Sequence, residues 1–162
     1  LNWSDDASPA LSDDDASDEV WEDSTSGLMW QDGSEVGHAE YEWDDAKTHC
    51  QNLNWGDYDD WRLPSISELR SLIRGCDVTE TGGSCGVTDE CLDYDPCRNS
   101  ACDGCSIGDG PADGCYWPSE LSGECSYYVS SSAIADRAQG TWGVGFESGY
   151  IDDIGTLARC VR

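Results

Sequence analysis

The residues of this sequence best placed to do chemistry are its ten cysteines, and eight of them crowd into one third of the chain: Cys76, Cys85, Cys91, Cys97, Cys102, Cys105, Cys115 and Cys125. Cys102-Asp103-Gly104-Cys105 has the spacing of a redox motif or of half a zinc site. His38 and His49 are too few to complete a zinc cluster, and the cysteine count is even and dense. That combination reads as a disulfide framework formed in an oxidising compartment, which places the chain outside the cell or on its surface. Eight cysteines in one stretch allow many pairings, and their spacing does not choose among them.

Carboxylates are the second chemical resource. The formal charge is −26, from 34 acids and 8 bases. Such a surface repels phosphate backbones, anionic lipid and sulfated glycans, which excludes nucleic acid as a partner. Three acid clusters are candidates for structural calcium, a hard cation that takes several oxygens: Asp57, Asp59 and Asp60; Asp93 and Asp95; Asp103, Asp109 and Asp113. None follows an EF-hand pattern, and acid runs are more often solvated faces than sites. Paired acids are too frequent here for any one pair to signal a glycosidase. No phosphate loop and no Ser-His-Asp set stands out, so an enzyme is not expected. Trp55, Tyr58, Tyr116 and Trp117 are the candidates for an aromatic binding face suited to a glycan or a protein surface. Seven of the eight bases are arginines, Lys47 being the exception, and arginine suits rigid clamps on carboxylates.

The elements that must position these groups follow from local signals. Residues 1–26 hold nine acids and no base, the composition of an acidic arm that cannot fold by itself. Its large apolar anchors are Trp3, Leu11, Val20 and Trp21. Through them the arm could lie on the domain or along a neighbouring copy, giving a homo-oligomer or a filament. A globular composition begins at Gly27, and residues 27–162 read as one domain. Gly27-Leu28-Met29-Trp30-Gln31 is a first strand ended by Asp32-Gly33. Trp43, Ala46, Cys50 and Leu53 mark one face of a helix with Asp44 and Asp45 in its first turn. After the loop 54–60, Trp61, Arg62, Leu63 and Pro64 form an extended approach to a second helix. Ser65 and Glu68 make a capping box there, Ile66, Leu69, Leu72 and Ile73 supply its apolar face, and Gly75 stands where a left-handed stop belongs. Residues 76–125 lack hydrophobic periodicity and read as a loop-rich insert held by staples rather than by a core. Strands follow at 127–132, 141–147 and 150–154, the last two a hairpin turning at Ser148-Gly149, and residues 157–162 close the domain. No run approaches a membrane span. The sequence opens on Leu1 without a leader, as a processed chain or an excised fragment would.

An ordered set of motifs carries a resemblance: Gly-Leu-Met-Trp-Gln at 27–31, the helix ending near Cys50, Asp-Trp-Arg-Leu-Pro with Glu-Leu at 60–69, Ser-Ser-Ser at 130–132, Trp142, Phe146 and Gly149, and Arg-Cys-Val-Arg at 159–162. Over residues 27–75 and 126–162 the chain resembles the C-terminal domain of bacterial collagen-like adhesins, which is similar to C-type-lectin-like and formylglycine-generating-enzyme-like folds. The resemblance implies an α+β domain with two helices beside a small, twisted, mainly antiparallel sheet. It further implies a Cys50–Cys160 disulfide and a buried or half-buried Arg62 clamp. The calcium loop and Trp-Asn-Asp strand of sugar-binding lectins are missing, Trp142 being followed by Gly143-Val144. The sulfated-glycan binding of the collagen-like adhesins conflicts with the charge of −26. The expected function is a non-enzymatic, secreted structural or adhesive subunit of a bacterial extracellular assembly, the alternative being a ligand-binding module that uses the loop face.

Overall fold

A computed structural model describes residues 18–162. Strands β1 (Glu19–Glu22) and β2 (Met29–Asp32) form an antiparallel ribbon in which Trp21 faces Trp30. The ribbon turns where the Asp23 carboxylate accepts the Thr25 N–H at 3.0 Å and Gly27 adopts φ +77°. This corrects the arm as composition drew it. Val20 and Trp21 belong to a strand of the domain, with Val20 exposed and Trp21 packed partly against the core. An acid-rich composition says nothing about the β2 edge that β1 pairs with. Trp3 and Leu11 lie outside the described residues.

The other edge of β2 holds the end of the chain. Met29 and Arg162 exchange backbone hydrogen bonds at 2.8 and 2.9 Å, and Gln31 N–H donates to Cys160 O at 3.0 Å. Val161 in turn exchanges bonds with Arg62 at 2.8 and 2.9 Å. The Trp-Arg-Leu-Pro approach is therefore the next rung of the same small ladder, with Trp61 and Leu63 buried on one side of it. Arg62 points the other way. It keeps 49% of its side chain exposed and forks onto Glu68, at 2.7 and 2.8 Å.

Helix α1 (Trp43–Gln51) turns Ala46 and Cys50 inward, and Cys50–Cys160 ties it to the C-terminal segment across 110 residues. Helix α2 (Ile66–Arg70) starts at the expected capping box. Ser65 Oγ accepts the Glu68 N–H and the Glu68 carboxylate accepts the Ser65 N–H. Strands β3 (Tyr127–Ala133), β4 (Thr141–Gly145) and β5 (Tyr150–Asp153) make a three-stranded antiparallel sheet in sequence order. The small residues of β4 have a steric reason. A Cβ on Gly143 would stand 2.1 Å from Ile154 O, and one on Gly145 would meet the Tyr127 ring at 2.5 Å. Trp30, Ile66, Leu69, Tyr128, Trp142, Phe146 and Ile151 fill the core between helix α2 and this sheet.

The insert departs from its expected character. Its four disulfides, Cys76–Cys105, Cys85–Cys102, Cys91–Cys97 and Cys115–Cys125, all close within it, around a short distorted helix α3 (Tyr94–Cys97) and a 3-10 turn at Ser100–Asp103. Yet Val87, Tyr116, Trp117 and Leu121 are buried in the same core as α2 and the sheet. The insert is stapled and also shares the core, without the periodicity that regular elements would show. Arg70, buried at the end of α2, organises its first loop. The Nε donates to Thr79 O at 2.7 Å. One terminal nitrogen donates to Cys85 O and Val87 O, at 2.8 and 2.7 Å. The other reaches Glu80 O and Gly83 O, at 3.0 and 3.2 Å. All five guanidinium N–H groups are thereby used. Arg159 also clamps carbonyls, though less completely, donating to Gln31 O in the frame at 2.6 Å and to Ser122 O in the insert, beneath the rings of Trp117 and Tyr128. The hydrogen bonds of the two buried arginines go to backbone carbonyls, with Asp32 the one carboxylate near Arg159 among the described residues, at 3.7 Å.

Candidate binding groove

The chain leaving β2 makes a tight turn, with Val36 N–H on Gly33 O at 3.1 Å, and Val36 is buried as its anchor. Gly37 follows at φ +86°, where a Cβ would lie 2.2 Å from the Tyr128 hydroxyl, so only glycine can cross there. Glu124 N–H donates to Val36 O at 2.9 Å, and Tyr41 N–H to Thr156 O at 2.8 Å. Pinned at both ends, His38, Ala39 and Glu40 stand up as an exposed ridge.

A cavity lies on each side of the ridge. The larger, about 560 Å³, is lined by His38, Glu40, Glu124, Ser126, Tyr127 and Leu157. The smaller, about 200 Å³, is lined by Gln31, Glu35, His38, Tyr41, His49, Leu53 and Trp55. Both histidines of the chain thus border the smaller cavity. Tyr41 stacks on His49, with ring centroids 4.7 Å apart and its hydroxyl 3.2 Å from Nδ1. Burial lowers the His49 pKa, favouring the neutral ring, and raises that of Tyr41. Tyr127 is exposed, and its pKa is raised chiefly by its hydrogen bond to Glu147. Trp55 is held by its own indole, which donates to Glu19 O at 2.6 Å. Neither cavity has a lysine or arginine in its lining.

The aromatic candidates from sequence divide three ways. Trp55 lines the groove. Tyr58 lies under Arg162, whose guanidinium carbon is 3.9 Å from the ring centroid, so its face is occupied. Tyr116 and Trp117 are corrected outright, each only 2% exposed. Tyr116 donates to Ser106 O at 2.7 Å, and Trp117 packs on Tyr128 and Phe146. Being in a stretch without periodicity, they gave no sign of facing inward. The groove residues that sequence reasoning missed are Gln31, Glu35, Glu40, Tyr41, Glu124 and Tyr127. Trp55 and the two histidines, the latter read only against zinc, are its signals in the sequence.

The acid clusters do not converge. Asp57, Asp59, Asp60, Asp93, Asp95, Asp103, Asp109 and Asp113 are all exposed. Among the described residues no group of three or more His, Cys, Asp or Glu side chains is placed to hold a metal ion. Asp103 pairs with Arg98 at 2.7 Å, and Asp60 with Arg162 at 2.5 Å. That pairing holds the Asp60 carboxyl below its usual range. Arginine is thus the partner of two of these eight carboxylates. Among the described residues no helix is long and apolar enough to cross a membrane.

The model of the Lcl C-terminal domain family matches residues 19–162, so the chain belongs to that family. The match begins at the first residue of β1 and runs through the insert. No curated protein and no solved structure matches the chain significantly.

Proposed function

We propose that this member of the Lcl C-terminal domain family is a non-enzymatic, extracellular adhesive module that holds its ligand in the groove astride residues 38–40. The carrying observation is the groove itself: two cavities flank one ridge, walled by Tyr41, Trp55 and Tyr127 with Glu35, Glu40 and Glu124 at hand. Aromatic walls with a few polar groups are what a recognition site needs. Five disulfides and no free cysteine suit a durable exported domain and leave no thiol nucleophile. His49 has Nδ1 engaged by Tyr41, which favours a positioning role over that of a general base.

The test is a binding panel of neutral glycans, sulfated glycans, basic peptides and acidic peptides, read by surface plasmon resonance. Tyr41→Ala should abolish binding of whichever ligand is captured while leaving the thermal midpoint near that of the parent. A ligand captured equally well by Tyr41→Ala and Tyr127→Ala would place the site elsewhere. A second reading, a structural subunit joined to its neighbours through the N-terminal arm, draws on exposed Val20 in β1, an outer strand that invites strand addition. Deletion of residues 1–17 should then abolish large particles in light scattering, and unchanged particle size would remove that reading.

A further inference from the structure

Elsewhere on its surface this chain repeatedly places a cation between an aromatic face and a carboxylate. Arg162 lies 3.9 Å over Tyr58 and 2.5 Å from Asp60. Lys47 lies 3.6 Å over Trp43 and 3.2 Å from Asp44. Arg98 lies 5.3 Å from the Tyr150 ring and 3.1 Å from Asp152. The groove repeats the aromatic and carboxylate parts, with Tyr41, Trp55 and Tyr127 beside Glu35, Glu40 and Glu124, but among the described residues no lysine or arginine lines it. Among the described residues no cation sits over any of those three rings.

Gln31 adds a second, independent sign. It is only 5% exposed and borders the smaller cavity. Its side-chain oxygen is fixed by the Cys160 N–H at 3.1 Å, which assigns the amide orientation. The amide nitrogen then has no hydrogen-bond acceptor among the described residues and is not sealed from solvent, so on a residue otherwise packed away it is a donor that a ligand carbonyl in the cavity would satisfy.

Resting on the groove as the binding site, we infer that its ligand is an extended segment of a partner protein bearing arginine or lysine. The segment crosses the 38–40 ridge, sets cationic side chains into the aromatic and acidic cavities, and offers a backbone carbonyl to Gln31. A neutral glycan would draw no Coulombic attraction from the three exposed carboxylates. A sulfated one would meet a chain of charge −26. A basic segment is drawn towards it instead.

The experiment measures fluorescence anisotropy of a labelled peptide of alternating glycine and arginine on the full chain with its disulfides intact, at physiological salt. The groove variant Glu40→Gln/Glu124→Gln is compared with Asp77→Asn/Glu90→Gln, which removes the same charge at two exposed acids outside the groove. Saturable binding is expected, weakened roughly tenfold by the groove variant and less than about twofold by the control. Equal weakening by both variants would assign the attraction to the overall field and overturn the inference. Capture of a neutral oligosaccharide, lost in Tyr41→Ala, with no peptide binding would overturn the cationic class but keep the groove as the site. Absence of any ligand sensitive to Tyr41→Ala would overturn both.

Discussion

The insert and the frame around it are held by the same two devices, used in opposite proportions. The frame has one disulfide, Cys50–Cys160, spanning 110 residues, and Arg159, which holds one carbonyl of the frame and one of the insert. The insert has four disulfides spanning 29, 17, 6 and 10 residues, and Arg70 on five carbonyls. A long closure restricts the unfolded chain most, whereas short closures mainly fix local shape. The two buried guanidinium groups also differ in completeness. Arg70 uses every N–H, while the Nε of Arg159 has no partner among the described residues, although Asp32 lies 3.7 Å from its Nη1. Burial pulls the pKa of both downward, yet arginine stays charged throughout. Where apolar side chains are scarce, a cation fully solvated by carbonyls organises a loop as a small core would.

That contrast can be broken by measurement. The largest effect belongs to the frame staple: Cys50→Ala/Cys160→Ala should lose about 4.8 kcal/mol by the loop-entropy estimate, read from urea unfolding. Arg70→Met comes next, at about 3 kcal/mol or more, because it strands buried carbonyls without acceptable donors. Its loss should be accompanied by faster amide exchange across residues 79–87. Cys91→Ala/Cys97→Ala should cost only about 2.2 kcal/mol. If that short staple proved as costly as the 110-residue one, loop length would not be the distinction between the regions. On the exposed side of α2, Arg62→Met should cost less than about 1 kcal/mol, since its fork on Glu68 is half in solvent. Arg62 and Arg70 flank one short helix, so the pair isolates burial from charge.

Sequence reading succeeded where the determining signal is local. Ser65 and Glu68 cap α2, Asp44 and Asp45 occupy the first turn of α1, and β4 turns into β5 at Gly149, with φ +73°. Each depends on residues within a turn of one another. The Cys50–Cys160 pairing came through the family resemblance and is present. The insert was opaque because its buried residues follow disulfide-constrained loops, with no repeat of 2.0 or 3.6 residues to read. The groove was opaque for a different reason. Gln31, Tyr41, His49, Trp55, Glu124 and Tyr127 come from strands, helix and loops spread over about a hundred positions. Their meeting depends on the pinning of the ridge at Val36 and Tyr41 by hydrogen bonds with Glu124 and Thr156. Backbone carbonyls as arginine partners leave no mark on the sequence at all.

The smallest expected effect concerns the groove wall and has a definite sign. The folded-state pKa of His49 is lowered below the ordinary histidine value of 6.5, by burial against Tyr41 and its neighbours. The unfolded chain therefore binds this proton more readily than the folded one, and stability contributed by neutral His49 is fully present above pH 6.5. It declines as pH falls below 6.5 and through the folded-state pKa. Glu68 moves in the same sense at lower pH: its pKa is lowered, first by the hydrogen bond from Arg62, so its contribution is present above the ordinary glutamate range and lost as pH falls through the folded value. The two windows are distinct because histidine titrates first on acidification. Urea midpoints recorded from pH 7.5 to 5.5 should fall in the parent and stay flatter in His49→Gln, with both proteins falling further at lower pH. A parental slope retained in His49→Gln would assign the titration to another group and remove His49 from the account of how the groove wall responds to acid.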